Sequence, residues 1–280
     1  MTFKLDGPFV LAGAGKMGGT LLAGLIVRGL DPKLVRVQDP APPSDVAAML
    51  ASHGITAEAE IAPLSSPPSV IIAAVKPQMM DAVFPRLAAI AGPHTVVLSI
   101  AAGRTLKSFE AHLPPKSAVV RAMPNTPAAI GRGITVCVAN AAATPAQRQL
   151  CDTLMSAVGE VAWIGTEAQM DAVTAVSGSG PAYVFLLAEC LAQAGVVAGL
   201  DAVLAMQLAR ATVEGAGELL HQSELDPATL RQNVTSPGGT TAAALAVLMD
   251  KDSGLQRLMT EAVEAATKRG HELSVAQVKK

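Results

Sequence analysis

Apolar positions fall along this chain in two textures. Up to about residue 164, short apolar runs bounded by glycine, proline or aspartate alternate with segments whose apolar positions recur every three or four residues. The runs at 9–11, 34–38, 70–75, 95–100, 118–122 and 134–139 read as strands; the segments at 17–29, 46–52, 79–91, 105–113 and 145–158 read as helices. The run at 70–75 has no polar position at all, as expected of a strand covered on both faces of a parallel sheet. From residue 166 onward the alternation stops, and helical spacing continues over 167–195, 201–222, 227–233, 240–250 and 254–275 with no strand between. The pattern predicts a doubly wound, mainly parallel α/β Rossmann domain over 1–164 and an all-helical domain over 165–280.

Composition narrows the classes. Only 2% of the 280 residues are aromatic while half are apolar, so Ala, Val and Leu must fill the interior. The 21 basic and 23 acidic residues give a net charge of −2 without a run of one sign, which offers nucleic acid neither an electrostatic track nor a stacking platform. The longest uncharged stretches, such as 172–188, contain Ser, Gly and Pro and are expected to fall short of the ~18 apolar residues of a membrane helix. No secretory leader pattern opens the chain. Cys137, Cys151 and Cys190 are odd in number and far apart, so neither a disulfide framework nor a metal site is expected, and a cytoplasmic location is.

Four constellations carry chemistry. Gly13-Ala14-Gly15-Lys16-Met17-Gly18 follows a strand and opens a helix, where glycines permit a tight turn and a pyrophosphate can rest on the helix N-terminus. Asp39, at the end of the second strand, either accepts both ribose hydroxyls and repels a 2′-phosphate, favouring NADH, or only begins the turn at Pro40. Val75-Lys76-Pro77 ends the third strand, and Ile100-Ala101-Ala102-Gly103 is the equivalent small-residue loop after the next, where a nicotinamide ring could approach the backbone. Met123-Pro124-Asn125-Thr126-Pro127 is a stiff loop with two short polar side chains: a place to hold a carboxamide, or an ordinary capped turn. In the helical half, Ser177-Gly178-Ser179-Gly180-Pro181 lies inside a helical region as a break or a cap, and Ser236-Pro237-Gly238-Gly239-Thr240-Thr241 places hydroxyls and backbone N–H groups at a helix start, an anion site or a cap. The five histidines show no triad or metal spacing, and no pair of carboxylates suits acid–base work except Glu167 and Asp171, one helical turn apart.

Taken together, Gly13 to Gly18, Ala-Val-Lys-Pro at 74–77, Met-Pro-Asn-Thr-Pro at 123–127, the stretch from Asp171 to Tyr183 and the stretch from Asn233 to Thr241 resemble pyrroline-5-carboxylate reductases in order and spacing over nearly the whole chain. The resemblance implies reduction of 1-pyrroline-5-carboxylate to L-proline by NADPH or NADH, an all-α domain that interlocks with a second subunit, and homodimers that in this family often assemble into decamers. It matches Gly13, Gly15, Lys16, Met17 and Gly18 to the pyrophosphate turn, Val75, Lys76 and Pro77 to the cofactor loop, and Asn233 to a cofactor-contacting asparagine. Ala101 and Asn125 fall on the same cofactor side. Ser236, Gly239, Thr240 and Thr241 match the loop that receives the substrate carboxylate and ring nitrogen, with Thr241 the expected catalytic hydroxyl, and Glu167 matches a substrate-side acid at the dimer interface.

One departure concerns the cofactor. Many relatives carry hydroxyl or basic residues after the second strand, whereas this chain has Asp39-Pro40-Ala41-Pro42, which leaves NADH and NADPH both open. Two other readings compete. A hydroxyacid dehydrogenase on the same plan needs a lysine or similar base in the helical domain, but Lys251, Lys268, Lys279 and Lys280 all lie far along the chain from the small-residue loops. A dinucleotide-sensing protein would have no use for the hydroxyls at 236–241.

Overall fold

The computed structural model describes Phe3 and residues 5–278, with side chains to Val275. Contacts group the chain into two compact units, one of residues 1–178 with 267–280 and one of 179–266. The first unit is built on eight strands: β1 (Phe9–Ala12), β2 (Val35–Gln38), β3 (Ala57–Glu58), β4 (Val70–Ala73), β5 (Val96–Ser99), β6 (Ala118–Met123), β7 (Gly133–Ala139) and β8 (Gly159–Trp163). Their order across the sheet is β3-β2-β1-β4-β5-β6-β7-β8, parallel throughout except for the antiparallel pair β6–β7. Helices α1 (Lys16–Val27), α2 (Ser44–Ser52), α3 (Met80–Ala89), α4 (Leu106–Glu110) and α5 (Pro145–Met155) connect the strands.

Alternate residues of each central strand feed two separate cores. Phe9, Leu11, Val70, Ile72, Val96 and Leu98 join Leu21 and Leu25 of α1 and Leu154 of α5 on one face. Val10, Ile71, Ala73 and Val97 join Met80, Phe84 and Leu87 of α3 and Phe109 of α4 on the other. A strand buried on both faces has no polar position to show, which is why the sequence there reads as unbroken apolar runs.

Two strands were not expected from the pattern. β3 is only two residues long, and β8 is an edge strand whose side chains alternate between half-buried and exposed, so neither makes a continuous run. The helix expected over 145–158 stops at Met155, and Gly159, at φ 149°, turns the chain into β8.

The small-residue cluster at 177–181 interrupts the α-helical spacing, with a bend at Ser179. A short α6 (Met170–Val173) runs into a π-turn at Thr174–Gly178, which takes up Ser177 and Gly178 as one wide turn, and α7 (Gly180–Val197) begins after Ser179. The stretch Glu167–Val197, 31 residues taken across that interruption, is long and apolar enough to cross a membrane by length and composition alone.

The second unit holds α7, α8 (Ala202–Gln222), α9 (Pro227–Asn233), α10 (Thr240–Leu248) and the start of α11 (Leu255–Val278), whose end belongs to the first unit. Helices α7 and α8 approach closely where Gly195 faces Ala205, with room for a Cβ only 3.2 Å from that of Ala205. In this unit the buried apolar residues are small alanines (Ala192, Ala205, Ala209), while Phe185, Leu186, Leu187, Leu191, Val203 and Leu208 are exposed. Large apolar faces left open on helices of this length need another surface to cover them.

Candidate active site

The sheet order reverses between β1 and β4, which opens a crevice at their carboxyl ends. Gly13 leaves β1 at φ 91°, and a Cβ there would lie 2.6–2.7 Å from the backbone of Ala74 and Val75, so only glycine lets the turn sit against the end of β4. The turn is tied down by Gly13 N–H donating to the Gln38 carbonyl (2.8 Å) and by Ala74 N–H donating to that of Ala12 (2.7 Å). Gly18 is equally constrained, since a Cβ there would fall on the Gly13 carbonyl oxygen. Gly15 differs, because nothing lies within 4 Å of the place its Cβ would take.

Gly15 is also the N-cap of the twelve-residue α1, and no side chain caps that helix end. An uncapped helix start beside open space that a single methyl would begin to fill suits the pyrophosphate of a dinucleotide. Lys16 is exposed at the first helical position, Met17 is half-buried, and along the β4 edge Val75 and Pro77 are half-buried with Lys76 exposed. Ala101 is buried, its N–H donating to Ser99 Oγ at 3.2 Å.

Asp39 is bonded to the two turns on either side of it. Its Oδ2 accepts from the Ala14 N–H of the glycine turn (2.7 Å) and its Oδ1 from the Ala41 N–H of the following turn (2.9 Å). The residue therefore does begin the turn at Pro40, and it also holds a fixed carboxylate at the end of β2, against the phosphate-binding turn itself. Asn125 is less available than a loop residue: its Oδ1 accepts from the Ile134 N–H at 3.0 Å and ties the Met123–Pro127 loop to β7.

Glu167 is anchored within the first unit. Its Oε1 accepts from the Leu106 N–H (2.8 Å) and from Arg121 (3.0 Å), and the Arg121 side chain is 5% exposed against 27% for Glu167. Sequence reasoning passed over Arg121, although a lone arginine in the apolar run Ala118-Val-Val-Arg-Ala-Met123 demands a carboxylate partner. Asp171 sits 3.7 Å from the His271 ring nitrogen and is not joined to Glu167 by any described bond.

In the second unit, Asn233 ends α9 and is exposed. The loop to α10 is folded on itself: Gly239 N–H donates to the Ser236 carbonyl (3.0 Å), Gly238 takes φ 70°, and a Cβ on Gly239 would come within 2.5 Å of Ser236 Oγ. The N-cap of α10 is Gly239 with no side-chain bond to the helix, so the first-turn N–H groups of Thr240 and Thr241 face outward from an uncapped end. With the Gly239 N–H already used, the first-turn N–H groups of Thr240 and Thr241 are the ones left at this helix start. Thr240 is exposed and Thr241 half-buried. Lys251 and Lys268 are exposed on other turns, and Lys279 and Lys280 lie outside the described residues.

A dinucleotide crevice on a doubly wound sheet, followed by a helical unit with an oxyanion-ready helix start, defines a two-domain nicotinamide-dependent oxidoreductase. Comparison with known proteins agrees. Residues 9–103 match the family model for NADP oxidoreductase, coenzyme F420-dependent, and residues 167–273 match that for pyrroline-5-carboxylate reductase dimerisation. The pyrroline-5-carboxylate reductase of Pseudomonas aeruginosa is 40% identical over 264 residues, 94% of this chain and 95% of its own. The solved structure of that enzyme from Coxiella burnetii superposes with a TM-score of 0.88 at 35% identity, over 96% of this chain and 98% of its own. The Plasmodium falciparum pyrroline carboxylate reductase, solved with NADP bound, gives 0.78 at 27% identity over 96% of this chain and 98% of its own. The chain belongs to the pyrroline-5-carboxylate reductase family, whose members are NAD(P)H-dependent oxidoreductases.

Proposed function

We propose that this protein reduces 1-pyrroline-5-carboxylate to L-proline, the last step of proline biosynthesis, with NADH or NADPH as the reductant. The observation that carries this reading is the uncapped start of α10, where a glycine turn is followed at once by two threonines in the first turn of the helix. Bound NAD(P)H supplies the hydride that reaches C5 of the ring. The residues matched to its site are Gly13, Gly15, Lys16, Met17, Gly18, Asp39, Val75, Lys76, Pro77, Ala101, Asn125 and Asn233.

Ser236, Gly239, Thr240 and Thr241 receive the substrate. Two outward N–H groups at a positive helix end suit its carboxylate. As hydride arrives, the C=N electron pair must end on nitrogen, so the site has to offer a proton or a strong hydrogen bond there. Thr241, on the first turn of α10, supplies that hydroxyl, and the imine is basic enough to arrive partly protonated. Glu167, its Oε1 committed to Arg121 and Leu106, serves in this reading to fix the loop at 100–105 rather than to deliver a proton.

The division into a dinucleotide domain over 1–164 and a substrate domain over 165–280 is retained as the functional one, supported by the family model that begins at residue 167. That domain pairs two subunits, and the resemblance extends the assembly to a decamer of five dimers. Buried free thiols at Cys137 and Cys151 favour a reducing, cytoplasmic setting.

The test is to follow NADH and NADPH oxidation in parallel with 1-pyrroline-5-carboxylate. Turnover with neither cofactor sinks the proposal. Thr241→Ala is expected to lower kcat by about 10-fold or more, below or within the range of general acid–base groups, with cofactor KM nearly unchanged. Full kcat in Thr241→Ala with loss in Thr241→Ser would show that the hydroxyl is not the operative group.

A further inference from the structure

Beyond the dinucleotide turn, the first unit has a cavity of about 340 Å³ beside the loop that follows β5. Its lining brings together Arg104, Lys107, Ser108 and His112, Asp81 from the first turn of α3, and Ser274 near the end of α11. None of these residues belongs to the cofactor or substrate groups assigned above.

Arg104 is 5% exposed, so its guanidinium has little water, and it is ion-paired to Asp81, whose side chain is 64% exposed. The Arg104 hydrogen bond holds Asp81 below the usual carboxylate range, which keeps it an anion. The pair leaves work undone. Arg104 Nε is buried with no hydrogen-bond partner, and so is Ser274 Oγ; the other two such side-chain atoms among the described residues are Gln38 Oε1 and Ser177 Oγ. Buried polar atoms in folded proteins almost always have a partner, and an exception asks for a water, an ion or a ligand. Two of these four exceptions belong to residues that wall this one cavity.

The chemistry of that partner follows from an inventory of donors. Arg104 and Lys107 can only donate, and His112 and Ser274 can donate; the one carboxylate, Asp81, is already engaged by Arg104. Ser108 spends its hydroxyl proton on the Thr105 carbonyl at 2.7 Å, leaving an oxygen but no donor. With two cationic side chains, Arg104 and Lys107, against one anion and donors in excess, the complementary group is an acceptor with negative charge. We propose that this cavity is a binding site for a small oxyanion, a phosphate or carboxylate group of a metabolite distinct from the substrate. Gly103 and Arg104 run directly on from Ala101 and Ala102, so an occupant would act on the loop that borders the cofactor crevice.

The probe is inorganic phosphate, titrated at constant ionic strength against the whole protein saturated with NAD⁺, which occupies the pyrophosphate turn. Melting temperature is read with NAD⁺ bound, and 1-pyrroline-5-carboxylate turnover in parallel with NADH in its place, in the wild type, in Lys107→Ala/His112→Ala and in Ser274→Ala. The expected result is a saturable rise in melting temperature in the wild type, with the midpoint moved at least tenfold higher in the double variant and less in Ser274→Ala. Acetate in place of phosphate separates the two sources of the oxyanion, and saturation by either one supports the site. A rise that never saturates with phosphate or acetate, or one that is the same in the double variant, would overturn the proposal.

Discussion

Removal of the Glu167 carboxylate separates a structural role from a substrate-side one. Arg121 is held in β6 at 5% exposure, with Glu167 as its ion-pair partner, and the same Glu167 oxygen takes the Leu106 N–H. Deleting one partner of a fully buried pair costs about 3–5 kcal/mol because the remaining charge is stranded. The 27% exposure of Glu167 lets water reach the guanidinium in its place, so the lower part of that range applies. Adding about 1 kcal/mol for the Leu106 amide left without an acceptor gives a loss of about 3–4 kcal/mol for Glu167→Ala. For a folded unit of this size each kcal/mol moves Tm by about 2–4 °C, so a drop on the order of 10 °C is expected by calorimetry. Glu167→Gln keeps an acceptor for Leu106 and should lose about half as much, and Arg121→Met, which strands only a half-exposed carboxylate, less still. A substrate-side acid would behave in the opposite way. If Glu167→Ala melts within about 2 °C of the wild type while kcat/KM collapses, the anchoring argument is wrong and Glu167 belongs to the chemistry.

Asp39→Ser is expected to shift cofactor preference towards NADPH by about tenfold, because it removes a fixed negative charge from where a 2′-phosphate would lie; a wild type that uses NADPH far better than NADH refutes the role. Sedimentation of the purified protein should show no monomer at micromolar concentration, since Phe185, Leu186, Leu187 and Leu191 are exposed in a single chain; an active monomer would remove the idea. Burial pushes the Cys137 thiol up to about 12 and the Cys151 thiol higher still, so both remain protonated and should be silent to a thiol-specific disulfide reagent at about pH 8 until the protein unfolds. Reaction of either at a free thiol's rate in the folded protein contradicts that burial.

The parts of this fold visible in the sequence are those where one physical demand dominates. Two-faced burial forces the runs at β1 and β4 to be wholly apolar, and the approach of Gly13 to Ala74 forces a glycine, so strands, crevice and turn can all be read directly. Where demands are mixed the pattern blurs. β8 at the sheet edge alternates, so its residues run on from the helical spacing of α5, and the π-turn at 174–178 accommodates residues that elsewhere end a helix.

Side-chain commitments are harder still, because spacing shows which residues are chemically capable and not which are already occupied. Glu167 and Asn125 are both capable, yet each spends an oxygen on its own fold: Glu167 on Arg121 and Leu106, Asn125 on Ile134. Ser236 and Thr241 differ in kind. They border a helix start that no side chain caps, and Gly239, which separates them, has no side chain with which to cap it. An uncapped helix end in a segment rich in hydroxyls is a local sacrifice of stability, since serine or threonine at that cap position would satisfy it at once. The same holds at Gly15, where a capping residue would also obstruct the open space beside α1. Both halves of the proposed reaction therefore rest on one device, a helix start kept free of its own cap so that a ligand's negative charge can take that place.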